Sequence, residues 1–168
     1  MVGYSLTGNE YIKYVLDTYS KMIVRLAFTY TKSLCDAEDI AQDVFVSLIE
    51  KNKTFENSEH EKAWLIRVTV NKSKNFVKSA WVKKTVPIDE AMTKTTEEKS
   101  DDILEEVLKM PEKYRTVIHL FYYEGYQINE IAEILGKSTG TIGTWLSRGR
   151  KILKERLKSL VNLRCMIS

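Results

Sequence analysis

Apolar residues recur at intervals of three and four along most of the chain, the spacing that gathers side chains on one face of an α-helix, so the expected fold class is all-α. The first such run is Glu10 to Tyr30, with Tyr11, Val15, Tyr19, Met22, Ile23, Leu26 and Tyr30 on its apolar face. A second starts near Asp36, whose carboxylate suits a helix cap, and ends about Glu50 with Ala41, Val44, Phe45, Leu48 and Ile49 on one face. A third spans about Glu61 to Val82. Only two prolines and seven glycines interrupt 168 residues, as expected of helices joined by short turns.

The periodicity lapses between residues 85 and 101, where V-P-I-D-E-A-M-T-K-T-T-E-E-K-S reads as a flexible acidic linker. The expected organisation is an N-terminal helical domain over 1–84, the linker at 85–101, a second small helical domain over 102–160 and a tail from 161 to 168. The second domain opens with I-L-E-E-V-L-K-M, breaks at Pro111, resumes through Tyr114 to Tyr123 and turns at Gly125.

The stretch beyond Gly125 is the most informative in the chain. Ile128, Ile131, Ala132 and Leu135 share a face of one helix, Gly136 supplies a corner, Ser138 is placed to cap the next helix, and Ile142, Leu146, Gly149, Leu153 and Leu157 line that helix's buried side. This is the pattern of a helix-turn-helix. Thr144, Ser147 and Lys151 fall opposite the apolar stripe with Thr141 and Arg148 on the flank, so these side chains would face a DNA major groove. From Lys137 to Lys158 the only acid is Glu155, against Lys137, Arg148, Arg150, Lys151, Lys154, Arg156 and Lys158, the excess that phosphate binding requires.

Formal net charge is only +3, but the charge is segregated. Asp36, Asp39, Asp43 and Glu50 line the polar side of the second helix. Like charges at this spacing oppose helix formation, so the stripe reads either as a solvated face or as a docking surface for a basic partner. Residues 62–84 contain Lys62, Arg67, Lys72, Lys74, Lys78, Lys83 and Lys84 and no acid, interleaved with Trp64, Phe76 and Trp81. Basic side chains with aromatic faces suit single-stranded nucleic acid. Trp64 and Phe76 are expected in the core, and Trp81, beyond the last strong apolar turn, is the candidate for an exposed stacking residue. Cys35 and Cys165 are far apart and only His60 and His119 occur, so no disulfide framework, metal site or cofactor is expected. No run is apolar and long enough to enter a bilayer and the N-terminus lacks a secretory pattern, so the expected location is cytoplasmic.

D-A-E-D-I-A-Q-D-V-F at 36–45, W-L-I-R-V-T-V-N-K-S-K-N at 64–75 and G-T-I-G-T-W-L-S-R-G-R at 140–150 occur in the order seen in the extracytoplasmic-function group of bacterial RNA polymerase sigma factors, which the chain resembles from about residue 10 to 160. The resemblance implies a non-enzymatic specificity subunit that binds core RNA polymerase and promoter DNA, with an anti-sigma factor as a further partner. It implies that Asp36, Asp39, Gln42 and Asp43 dock on the polymerase clamp. It implies that Asn71, Lys72, Asn75 and Lys78 recognise and melt the −10 element, a surface to which Trp81 is added. The −35 element would be read by Ser138, Thr141, Thr144, Ser147, Arg148 and Lys151. Departures from the family pattern fall on the recognition helix: Gly143 and Trp145 stand where basic residues are usual, and Gly149 replaces alanine. Trp145, at the edge of the apolar stripe, is expected to pack against the preceding helix. Gly140, Gly143 and Gly149 would each weaken the isolated helix by up to about 1 kcal/mol.

Two other classes compete. A stand-alone dimeric helix-turn-helix regulator would leave the acidic stripe and the aromatic, basic third helix without a role. A metal-dependent enzyme would place Mg²⁺ on Asp36, Asp39 and Asp43, but the sequence offers no glycine-rich phosphate loop or activated nucleophile beside them.

Overall fold

The computed structural model describes residues 8–83 and 102–167; the expected linker at 85–101 lies outside them. The elements are α1 (Gly8–Thr31), α2 (Leu34–Lys51), α3 (Ser58–Lys83), α4 (Asp102–Leu108), α5 (Glu112–Ile118), α6 (Ile128–Leu135) and α7 (Thr139–Ile167), with no strand among the described residues. The all-α class holds. The chain divides into two compact units, residues 1–92 and 93–168.

In the first unit α1, α2 and α3 each pack against the other two. Val15, Ile23 and Leu26 of α1 meet Ala37, Ile40, Ala41, Val44 and Leu48 of α2 and Leu65, Ile66 and Val70 of α3 in the buried interior. Lys32, at φ 57°, closes α1, and its N–H donates to the Phe28 carbonyl at 2.9 Å. The cap of α2 is Ser33 rather than Asp36: the Ser33 Oγ accepts the Asp36 N–H at 3.3 Å. Asp36 sits one turn in, where its charge meets the positive helix terminus. The apolar stripe is also narrower than expected. Phe45 is half-buried and Ile49 is 54% exposed, because the close approach is centred on the small Ala37 and Ala41 and leaves Ile49 outside the contact.

Where α3 begins, the Asn57 Oδ1 accepts the His60 N–H at 2.8 Å. One turn on, Glu61 is only 5% exposed and accepts a hydrogen bond from the Tyr11 hydroxyl, fastening α3 to α1. Burial and the Glu61 carboxylate together push the Tyr11 and Tyr19 hydroxyls above the ordinary tyrosine range.

In the second unit α7 is the spine, with α4, α5 and α6 packed on it. Arg156 of α7 reaches Glu106 of α4 at 3.4 Å, and Lys109 joins the same carboxylate at 2.8 Å. α5 runs into a π turn, His119–Tyr123, in which the Glu124 N–H donates to the His119 carbonyl at 3.1 Å. The wider turn keeps Leu120 buried and delivers Tyr122 and Tyr123 to the surface. Gly125, at φ 75°, then reverses the chain. α7 continues through residues 161–167, so the expected tail is the end of this helix.

Gly149 marks the crossing of α5 and α7. A Cβ there would lie 3.1 Å from Ile118 Cγ1 and 3.4 Å from Tyr114 Cβ, whereas one on Gly143 would meet nothing within 4 Å. The glycine that weakens α7 as an isolated helix therefore sets its distance from α5.

This packing makes stability sensitive to pH and to the two glycines in opposite ways. A tyrosine whose folded value is raised keeps its proton where the unfolded chain has lost it, so its stabilising contribution is intact below about pH 10 and declines as pH rises toward the folded value. Thermal unfolding followed by circular dichroism should show the melting temperature falling above about pH 10, and falling less steeply in Tyr11→Phe/Tyr19→Phe. Gly149→Val should destabilise by about 1–3 kcal/mol through overpacking, while Gly143→Ala should stabilise by about 0.5–1 kcal/mol, both read from urea unfolding.

Candidate nucleic-acid interface

The helix-turn-helix is built by local bonds at three corners. The Gln127 N–H donates to Glu130 Oε2 at 2.7 Å, closing a capping box at the start of α6. Gly136, at φ 62° and ψ 42°, ends α6, where the Lys137 N–H donates to the Ala132 carbonyl at 2.9 Å and the Gly136 N–H to the Glu133 carbonyl at 3.4 Å. Ser138 caps α7 as its spacing predicts, its Oγ accepting the Thr141 N–H at 3.1 Å. Ile131, Ala132 and Ile134 of α6 and Ile142 and Leu146 of α7 fill the angle. Ile128 and Leu135, expected inside, are half-buried, because the buried side of this short helix is turned toward Ile134.

On the outer face of α7, Thr144, Ser147, Arg148 and Lys151 are exposed, and Thr141 is half-buried. The Ser138 and Thr141 hydroxyls lie 2.8 Å apart and are engaged in the cap before anything else. The Thr144 hydroxyl donates to the Gly140 carbonyl at 2.9 Å, which leaves its oxygen lone pairs as acceptors on the surface. Arg150 belongs to the basic run but not to the predicted contact set. Its Nε donates to the Tyr122 hydroxyl at 2.6 Å, and its guanidinium lies 5.1 Å from the Phe121 ring and 5.5 Å from the Tyr122 ring. Trp145 is half-buried, and a neighbour that its sequence position did not point to is Lys113 of α5, whose Nζ lies 5.9 Å from the Trp145 ring.

In the first unit Asp39, Gln42 and Asp43 are exposed on α2 and Asp36 is half-buried. Val46 and Ile49, 49% and 54% exposed, lie on the same helix, so its outer surface is apolar as well as acidic. Among the described residues no group of histidine, cysteine or acidic side chains is placed to hold a metal ion. On α3, Asn71, Asn75 and Lys78 are exposed at a spacing that puts them on one face, Lys72 is half-buried, and Trp81 is 79% exposed. Near the start of α3 stands an aromatic and basic cluster that sequence reading missed. Phe55 packs 5.6 Å from Trp64, and Lys53 and Lys51 lie 5.6 and 6.0 Å from the Trp64 ring. Trp64 is thus at the rim of the core rather than inside it, and the signal available in sequence was a lone Phe55 in an otherwise polar turn.

Two protein families match successive stretches of the chain. Residues 15–82 match the sigma-70 region 2 family and residues 100–153 match the sigma-70 region 4 family. The chain is 33% identical over 139 residues to the RNA polymerase sigma factor SigV of Bacillus subtilis (strain 168), covering 79% of this chain and 82% of that one. It is 28% identical over 165 residues to the ECF RNA polymerase sigma factor SigW of the same organism, covering 87% and 88%. The chain belongs to the extracytoplasmic-function group of RNA polymerase sigma factors. The function of this sigma factor is to direct promoter-specific initiation of transcription by RNA polymerase. Its fold is shared with the sigma factor RpoE of Bartonella quintana, solved with the anti-sigma factor NepR, at a TM-score of 0.73 and 24% identity over 87% of this chain and 96% of that one. Among the described residues no helix is long and apolar enough to cross a membrane.

Proposed function

We propose that this sigma factor divides initiation among three surfaces. Asp36, Asp39, Gln42 and Asp43 on α2 dock on the polymerase core, with the exposed Val46 and Ile49 adding apolar contact. Asn71, Lys72, Asn75 and Lys78, with Trp81, receive the −10 element as its strands part, and the Phe55–Trp64 cluster with Lys51 and Lys53 extends that surface. Ser138, Thr141, Thr144, Ser147, Arg148 and Lys151 meet the −35 element in the major groove. The observation that carries this reading is the separation of charge onto exposed faces of different helices: acidic on α2, basic with a bare tryptophan on α3, basic on α7.

The protein acts in the cytoplasm as a binding subunit without catalysis of its own. An anti-sigma factor is its regulatory partner; support comes from the matching RpoE structure, solved with NepR, and from CnrH, a match at a TM-score of 0.66, solved with the cytosolic domain of CnrY. Pull-down with core polymerase followed by transcription from a pool of genomic fragments tests the whole reading, since it reports partner and promoter together. Tight, sequence-specific binding to duplex DNA by the isolated chain at physiological salt would favour a stand-alone regulator instead.

Two sets of substitutions check the division. Asp39→Arg with Asp43→Arg should abolish holoenzyme assembly in gel filtration while leaving helicity and melting temperature nearly unchanged, because both side chains are exposed. Arg148→Ala should reduce transcription from duplex promoter but not from an artificially bubbled template, with a loss of about 1–3 kcal/mol in binding if Arg148 grips guanine. Asn75→Ala and Lys78→Ala should reduce both, and equal losses for the two sets on the bubbled template would sink the assignment.

A further inference from the structure

Lys113 stands on α5, outside the helix-turn-helix, yet its ammonium is held against the recognition helix. Its Nζ lies 5.1 Å from the ring of Tyr114 and 5.9 Å from the ring of Trp145, both within cation–π range. Lys113 is exposed, and among the described residues no carboxylate pairs with it. Thr141, Trp145 and Arg148 follow one another at intervals of four and three, so they share one flank of α7. From Thr139 to Ser147 the helix carries no basic residue of its own. A recognition helix lying in the major groove brings its flanks toward the phosphate walls, where cations fix register without reading sequence.

We propose that Lys113 is a phosphate-contacting residue of the −35 surface and that Trp145 is the residue that positions it. This rests on the reading of α7 as the −35 element's reader. The ring pair holds a flexible lysine stem where the first turns of α7 lack a cation of their own. Trp145 acts through Lys113 and reads no base.

The test uses holoenzyme reconstituted from core polymerase and the full chain, with a duplex promoter recovered by the wild-type holoenzyme and the same duplex with its upstream element scrambled. Loss of one phosphate contact should lower the slope of log affinity against log salt by about 0.9, so between 50 and 200 mM salt Lys113→Gln should lose about 3.5-fold less affinity than wild type. Trp145→Ala should weaken binding about two- to fivefold, Trp145→Phe should restore it, and Lys113→Gln/Trp145→Ala should bind no more weakly than Lys113→Gln alone. Circular dichroism checks that each variant is folded, and Trp145→Leu, which keeps the bulk without the aromatic face, serves where alanine is not tolerated. An unchanged salt slope in folded Lys113→Gln, or additive losses in the double variant, overturns the proposal. Thr144→Ala and Arg148→Ala separate the two levels: if they weaken binding to the intact upstream element while Lys113→Gln does not, only the role of Lys113 fails. If they too leave it unchanged, the reading of α7 fails and the proposal with it.

Discussion

The second unit depends on one close approach. At Gly149 the absence of a side chain lets α5 lie against α7, with Ile118 and Tyr114 filling the space that a Cβ would enter. From that crossing the rest of the surface is positioned. On one side of it Lys113 reaches the Trp145 ring, and on the other the π turn after α5 brings Phe121 and Tyr122 to Arg150. The recognition helix is therefore braced on both flanks by side chains from outside the helix-turn-helix, and the outward Thr144, Ser147, Arg148 and Lys151 inherit their orientation from a steric gap elsewhere on the helix.

The first unit solves a different problem. Its outward faces carry charge, so cohesion has to come from a narrow interior and a few polar fasteners. Small Ala37 and Ala41 let α2 approach its neighbours closely, and Glu61, buried and bonded to Tyr11, ties the start of α3 to α1. A carboxylate taken out of water is tolerable only while its hydrogen bond holds. The same economy leaves Val46 and Ile49 outside the core, adjoining the acidic side chains on α2.

Much of this was legible in the sequence, for physical reasons. Helical periodicity and scarce proline and glycine marked every long helix, and the Gly136 and Ser138 spacing gave the corner and cap of the helix-turn-helix because those are local backbone events. What escaped was decided by contacts between distant residues or by competition between similar signals. Ser33 and Asp36 are both good caps, and only the chain's path after Lys32 chose the serine. Ile49 continued the apolar pattern of α2 but fell beyond the reach of its neighbours. The role of Gly149 as a crossing point and the Lys113–Trp145 contact depend on which helices meet, and the Phe55–Trp64 cluster on how the turn before α3 folds back, none of which periodicity encodes.

Glycine is a poor helix former, so at Gly149 the continuity of α7 leans on α5 rather than on its own propensity. The outer face of α7 has, for that reason, no stability separate from the unit that carries it, and fraying of α5 is expected to loosen α7 with it. Substitutions at Ile118 and Tyr114 thus bear on two properties at once, the placement of the outer face of α7 and the lifetime of the protein against proteolysis in the cell.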